Sequence, residues 1–146
     1  MVRTVKFLRF LSFLLFLGIL TLVYAYLPVI VQLTEDFNQL TVHKEDFFYY
    51  VVALFLIINV FIVIMNRIVS PLIENRSGEM AVAWFTALAF VLNIYLTMLM
   101  GYVGVLNNQT HIPLDAYAYL NYIGPFLLMV WLAGFFYLTV NKKQTT

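Results

Sequence analysis

The stretch FFYYVVALFLIINVFIVIM, residues 47–65, decides the fold, because it holds no charged side chain and its only amide is Asn59. A helix of about 20 mostly apolar residues crosses the hydrocarbon core of a bilayer. Three further stretches of the same kind, residues 10–27, 80–106 and 119–140, also hold no charged residue or histidine. The sequence therefore predicts an all-α integral membrane protein, a four-transmembrane-helix bundle that forms a single domain over residues 1–146.

Composition excludes several classes of function. Charged residues make up 10% of the chain, whereas soluble domains carry about 25%. A net charge of +1 with eight scattered Lys and Arg builds no basic face for nucleic acid. The chain has no cysteine, which excludes disulfides, thiol redox chemistry and thiolate metal sites. The absence of histidine pairs inside the spans also argues against bound haem.

The distribution of positive charge predicts orientation. Seven of the eight cations lie at the N-terminus, between the second and third stretches or at the C-terminus, and only Lys44 lies in the other connections. By the positive-inside rule, both termini are expected in the cytoplasm, and the expected location is a bacterial cytoplasmic (inner) membrane. A basic start, an apolar run and Val23-Tyr24-Ala25 also fit a cleaved secretory signal. Cleavage would leave the orientation of the other three spans unchanged.

Polar residues inside the spans predict where the helices meet, because small and hydrogen-bonding side chains mark helix contacts in lipid. Thr86, Asn93 and Thr97 share one helix face, so with Asn59 they are expected at the bundle interface. We expect Asn59 to approach Thr86, because both lie at similar depth when counted from a non-helical loop at residues 66–79. Asn93 is then expected about 10 Å further out than Thr86, too far from Asn59 for a direct hydrogen bond.

Tyrosine clusters at the ends of the spans that are predicted to face outward. An aromatic belt at the lipid headgroups explains this pattern. The alternative is an outer cleft for a lipid, a quinone or a partner helix, with Gly124-Pro125 loosening the fourth span as a lateral opening. The candidate lining of that cleft consists of Tyr102, Tyr119, Tyr122 and Asn121.

The connections offer little chemistry. His43 and His111 lie near carboxylates, but their spacing matches no metal motif, so no metal and no cofactor are predicted. No nucleophile and base occur at a useful spacing, and an enzyme is not expected. Residues 34–39 fit either a short helix near the headgroups or an extended turn, and Asp115 fits the N-cap of a helix.

These features favour a non-catalytic accessory or structural subunit of a larger membrane protein complex, with other membrane subunits and lipids as partners. Apolar spans, short connections and the lack of charge within the spans all fit that role. The alternatives are a small oligomeric transporter or channel with a polar site around Asn93 and Thr97, and a lipid-binding or quinone-binding bundle. The Asn93→Leu variant separates transport from packing, because loss of flux with normal assembly indicates transport.

Overall fold

The computed structural model describes residues 2–34, 40–108, 117 and 119–141. Its elements are α1 (Val2–Tyr26), β1 (Ile30–Gln32), β2 (Thr41–His43), α2 (Lys44–Thr86), α3 (Leu88–Leu106) and α4 (Leu120–Asn141). Four helical stretches are long and apolar enough to cross a membrane, namely Val2–Tyr26, Lys44–Asn75, Ser77–Leu106 and Leu120–Val140. The predicted set of four apolar helices is confirmed.

Helix α2 continues beyond the predicted end of the second span, so the expected non-helical loop at residues 66–79 is wrong. Pro71 lies inside the helix, and only Gly78 has non-helical dihedral angles, with φ 79° and ψ 177°. A single proline removes one backbone hydrogen bond, and the turns on either side hold the helix together here. Positive φ with extended ψ is a conformation that essentially only glycine adopts. The break therefore falls at Gly78.

The chain reverses direction at Gly78. Asn59 and Asn93 are 34 residues apart and their side chains are hydrogen-bonded, whereas a straight helix would separate them by about 50 Å. Ala87, between α2 and α3, has right-handed helical angles of φ −67° and ψ −15°. The part of α2 after Gly78 and α3 thus form one nearly continuous third span, which runs antiparallel to the second.

A small antiparallel hairpin closes one end of the bundle, which we call the hairpin end. Ile30 pairs with His43 and Gln32 with Thr41. The side chain of Asn107, just after α3, accepts a hydrogen bond from Gln32 N at 2.8 Å and donates to Gln32 O at 2.9 Å. These two bonds fasten α3 to the edge of β1. Of the residues expected to form a short helix or an extended turn, 35–39 lie outside the described residues.

Lys44, the one cation predicted on the outer side, has a local structural role. Its Nζ donates to the carbonyl of Leu27 at 3.0 Å, just beyond the end of α1. It also lies 4.5 Å from the centre of the Tyr24 ring. A cation at the C-terminal end of a helix satisfies carbonyls that have no partner within the helix. Lys44 therefore joins the end of α1 to the start of α2.

Helix α3 is the centre of the bundle. It packs against α1, α2 and α4, and no residue of the continuous stretch from Ala81 to Asn108 is exposed. The sequence predicted one inward stripe on this helix, but every face of α3 is at least half-buried. Between α1 and α2, the rings of Phe16 and Phe55 stack at 3.9 Å within a cluster of buried apolar side chains.

Helix α4 makes close contacts at a pair of tryptophans and at two glycines. The indole N–H of Trp84 donates to the carbonyl of Trp131, and the indole of Trp131 donates to the carbonyl of Trp84, both at 2.8 Å. The Trp84 ring lies directly on Gly134, and the Tyr95 ring lies on Gly124. Neither glycine leaves room for a Cβ atom beside these rings. The two glycines therefore set how closely α4 approaches its neighbours.

Candidate functional sites

A chain of buried polar side chains joins α1, α2 and α3. Asn59 Nδ2 donates to Asn93 Oδ1 at 2.9 Å, and Asn93 Nδ2 donates to Ser12 Oγ at 3.3 Å. Ser12 Oγ donates in turn to the carbonyl of Arg9 at 2.9 Å. Asn93 is fully buried, and Asn59 and Ser12 nearly so. We call Ser12, Asn59 and Asn93 the polar triad.

The triad overturns the expected pairing of Asn59 with Thr86. Thr86 Oγ1 donates to the carbonyl of Val82 in its own helix, and Asn59 bonds to Asn93, which the sequence placed too far away. The physical reason is the position of the turn. Asn59 lies 19 residues before Gly78 and Asn93 lies 15 residues after it, so the two reach similar depth. Thr86 follows Gly78 by only eight residues and lies nearer to that turn.

The remaining interior polar groups bond mainly within the bundle. Thr97 is half-buried, and its hydroxyl donates to the carbonyl of Asn93 at 2.8 Å. Ser12 was not singled out from the sequence as a partner, although it is a lone hydroxyl in an otherwise apolar part of the first span. Asn59 Oδ1 is buried with no hydrogen-bond partner. All other amide atoms of Asn59 and Asn93 are engaged within the bundle, as expected of groups that hold helices together.

The predicted tyrosine cleft has a mixed arrangement. Tyr102 is buried, whereas Tyr119 and Tyr122 are exposed and Asn121 is half-buried. Exposed rings at the ends of the spans fit an aromatic belt. At the hairpin end, the exposed tyrosines are Tyr26, Tyr49, Tyr50, Tyr119 and Tyr122.

The opposite end of the bundle contains a cleft that the sequence analysis did not find. It has a volume of about 740 Å³ and lies between the start of α1, the middle of α2 and the part of α2 after Gly78. We call this end of the molecule the basic end and the space the basic cleft. Its polar lining consists of Lys6, Arg9, Asn66, Arg67, Ser70, Glu74 and Thr86.

Asn66 is the unusual member of this lining. Its Nδ2 and Oδ1 atoms are both buried and neither has a hydrogen-bond partner. Most buried polar atoms in folded proteins are paired, so an amide with both atoms unpaired at a cleft indicates a place where another polar group fits. The sequence signal for this cleft was the pair Asn66-Arg67 directly after the apolar stretch. The charge distribution predicts this pair on the same side of the membrane as Lys6 and Arg9.

The described residues offer no cluster for a metal ion: no group of three or more His, Cys, Asp or Glu side chains comes together among them. His43 ends β2 and is exposed. His111 and Asp115, including the predicted N-cap, lie outside the described residues.

Comparison with known proteins leaves the function to be argued from the geometry alone, because no protein-family model, curated protein or solved structure matches the chain.

Proposed function

We propose that this chain is a non-catalytic integral membrane protein that acts as an accessory or structural subunit of a larger membrane protein complex. The observation that carries the proposal is the exposure of α4. Within the 18-residue segment of α4 that has the highest mean hydropathy, only 11% is buried inside the protein. The corresponding shares in the other three spans are 22%, 22% and 28%. A helix that packs on one side only leaves the other side for a partner.

The exposed side of α4 has a regular pattern. Its residues recur at alternating steps of four and three, the spacing that lets one helix seat along another. Large side chains flank a small one at the centre, an arrangement that lets a second helix approach closely. The stripe consists of Tyr122, Phe126, Met129, Ala133, Phe136 and Val140, and all six are exposed. We call it the α4 stripe.

The polar triad supports an assembly role better than transport. The Oδ1 and Nδ2 atoms of Asn93 both form hydrogen bonds to side chains of other helices. The polar groups that the transport alternative requires at Asn93 are therefore paired within the chain. The exposure of Tyr119 and Tyr122 likewise gives little support to a quinone cleft. A structural subunit needs helices that are fastened together inside and an uncovered outer face for a partner. The polar triad fastens the helices, and the α4 stripe is the uncovered face.

Membrane insertion and orientation are part of the proposal. The four apolar helices support a multi-pass protein, and the positive-inside rule favours the basic end in the cytoplasm. This end holds the N-terminal end of α1 and the turn at Gly78, and α4 runs toward it, since Trp131 contacts Trp84. A bacterial cytoplasmic membrane is the proposed location.

The experiment that tests the subunit role is purification of the tagged chain from its native membrane in a mild detergent. Native mass and the identities of co-purifying chains are then measured. We expect a stoichiometric assembly with other membrane proteins. Recovery as a single chain or as a pure homo-oligomer would overturn the proposal.

A matched pair of variants tests the α4 stripe. Ala133→Trp fills the small position of the stripe, and we expect the partner to be lost. Ala53→Trp adds the same bulk at an exposed alanine of α2, and we expect it to retain the partner. Both positions are exposed, so neither change disturbs the interior of the bundle. Equal retention in both variants would contradict docking through α4.

A further inference from the structure

We propose that the basic cleft binds the phosphate-bearing headgroup of an anionic glycerophospholipid. Three cationic side chains, Lys6, Arg9 and Arg67, line the cleft, and the structure places one carboxylate, Glu74, among them. Within the described part of the chain, none of these four forms an ion pair. The lining thus carries a net positive charge that its own residues leave uncompensated.

The position of the charges suits a headgroup. Lys6 and Arg9 are three residues apart on α1 and so lie on one side of that helix. Arg67 faces them from α2 across the same space. Basic pockets between membrane helices on the cytoplasmic side attract anionic headgroups, and guanidinium groups bind phosphate with two parallel hydrogen bonds.

Asn66 explains why a hydroxylated headgroup fits better than a bare charge. Its Nδ2 and Oδ1 are buried and unpaired, so a rotation of the side chain toward the cleft would let Nδ2 donate to a phosphate oxygen and Oδ1 accept from a hydroxyl group. Glu74 is a second acceptor for a hydroxyl. A phosphoglycerol headgroup carries both a phosphate and hydroxyls, so it satisfies all of these groups together.

The apolar part of the lining accommodates an acyl chain. Phe10, Phe13 and Val63 continue from the charged residues toward the middle of the helices. A ligand with a charged head and a hydrocarbon tail matches this change of polarity along the cleft. Free phosphate matches only the charged part, so the two sources of phosphate are distinguishable by experiment.

The test is native mass spectrometry of the full chain with phosphatidylglycerol and phosphatidylcholine of identical acyl chains in equal amounts. We expect preferential retention of phosphatidylglycerol. Arg9→Gln and Arg67→Gln should each weaken its binding about fivefold, the effect of one cation near an anionic lipid. Arg3→Gln removes a cation from the same end of α1 outside the cleft lining and should change binding less than twofold.

Several outcomes would overturn the inference. These are equal retention of the two lipids, or an Arg3→Gln effect as large as that of Arg9→Gln, which would indicate general surface attraction. Displacement of the lipid by inorganic phosphate at equal concentration would show that the cleft takes free phosphate and not a lipid. Glu74→Gln guards against misfolding as an explanation. It removes a negative charge from the lining while its amide oxygen can still accept from a hydroxyl, so we expect it to tighten phosphatidylglycerol binding, and an unfolded variant cannot gain affinity.

This inference rests on membrane insertion but not on the existence of a protein partner. A chain that reconstitutes into lipid nanodiscs, purifies alone and selects phosphatidylglycerol would retain the lipid site and lose the subunit role. A chain that enters nanodiscs, holds a partner and shows no lipid selectivity would do the reverse.

Discussion

At the scale of single residues, Asn93 is the interior side chain that links the helices through hydrogen bonds. Its carboxamide receives a hydrogen bond from Asn59 and donates one to Ser12, so it joins three helices through one group. Replacing it leaves Asn59 and Ser12 with only the backbone partners in their own helices. The cost of such a loss is set by desolvation and exceeds the net gain from an ordinary hydrogen bond.

We expect Asn93→Leu to lower the free energy of unfolding by about 1–2 kcal/mol, measured as thermal stability in detergent. Thr97→Val is the matched control, since the Thr97 hydroxyl bonds only within its own helix, and its effect should stay below about 0.5 kcal/mol. Equal effects would mean that the triad does not hold the helices together.

The interior polar residues also show what a sequence pattern reports and what it leaves open. Polar side chains inside apolar spans, three of them on one helix face, predicted Asn59, Thr86, Asn93 and Thr97 at the bundle interface. In the structure all four are buried or half-buried. Their pairing was wrong because depth was counted from residues 66–79. A composition pattern reports which residues avoid lipid, whereas a pairing depends on the one residue at which the chain turns.

At the scale of elements, the contacts of α4 depend on glycine. Gly134→Ala would place a methyl group against the Trp84 indole. That ring cannot swing aside freely, because its N–H bonds to the carbonyl of Trp131. We expect a loss of about 1–3 kcal/mol, the range for overpacking in a filled interface.

Gly18→Ala is the control for that prediction. No atom lies within 4 Å of a Cβ atom built at Gly18, and alanine is favoured over glycine inside a helix by about 0.5–1 kcal/mol. Thermal unfolding in detergent should therefore show the two Gly→Ala changes moving stability in opposite directions. A loss of stability in both variants would indicate a general intolerance of the spans and not a specific contact at α4.

The elements also show the limits of helix-breaking signals. Pro71 and Gly78 were both expected to interrupt the chain, and only Gly78 does so. Proline fixes φ near the helical value and removes one donor, which a long helix tolerates. The two short strands carry β-branched residues, Ile30-Val31 and Thr41-Val42, but their length of three residues each is too short for a sequence pattern to separate strand from extended turn.

At the scale of the whole molecule, the proposed orientation gives a direct prediction. The chain has no cysteine, so single cysteines can be introduced without a background signal. Thr4 lies at the basic end and Val29 at the hairpin end, and both are exposed. In intact cells, a membrane-impermeant maleimide should label Val29→Cys but not Thr4→Cys.

Permeabilised cells provide the control, since both variants should then be labelled. Labelling of Thr4→Cys alone in intact cells would reverse the proposed orientation. Labelling of both in intact cells would contradict a bilayer between the two ends.

The number of apolar helices could be predicted from composition, because the hydropathy of each helix is a local property of the sequence. The basic cleft could not, because it forms only when α1 and α2 lie side by side.

The uninterrupted second span has a consequence for how the protein fits its membrane. Lys44–Asn75 contains 32 residues and is about 48 Å long, whereas a hydrocarbon core is about 30 Å thick. Tilting alone cannot absorb that excess, because membrane helices rarely tilt by more than about 40°. In the proposed membrane, even a tilt of about 40° would leave roughly one fifth of this helix outside the acyl chains. A bilayer thinner than average would expose still more of it, so under the proposed membrane insertion the thickness of the bilayer would affect how well this protein fits.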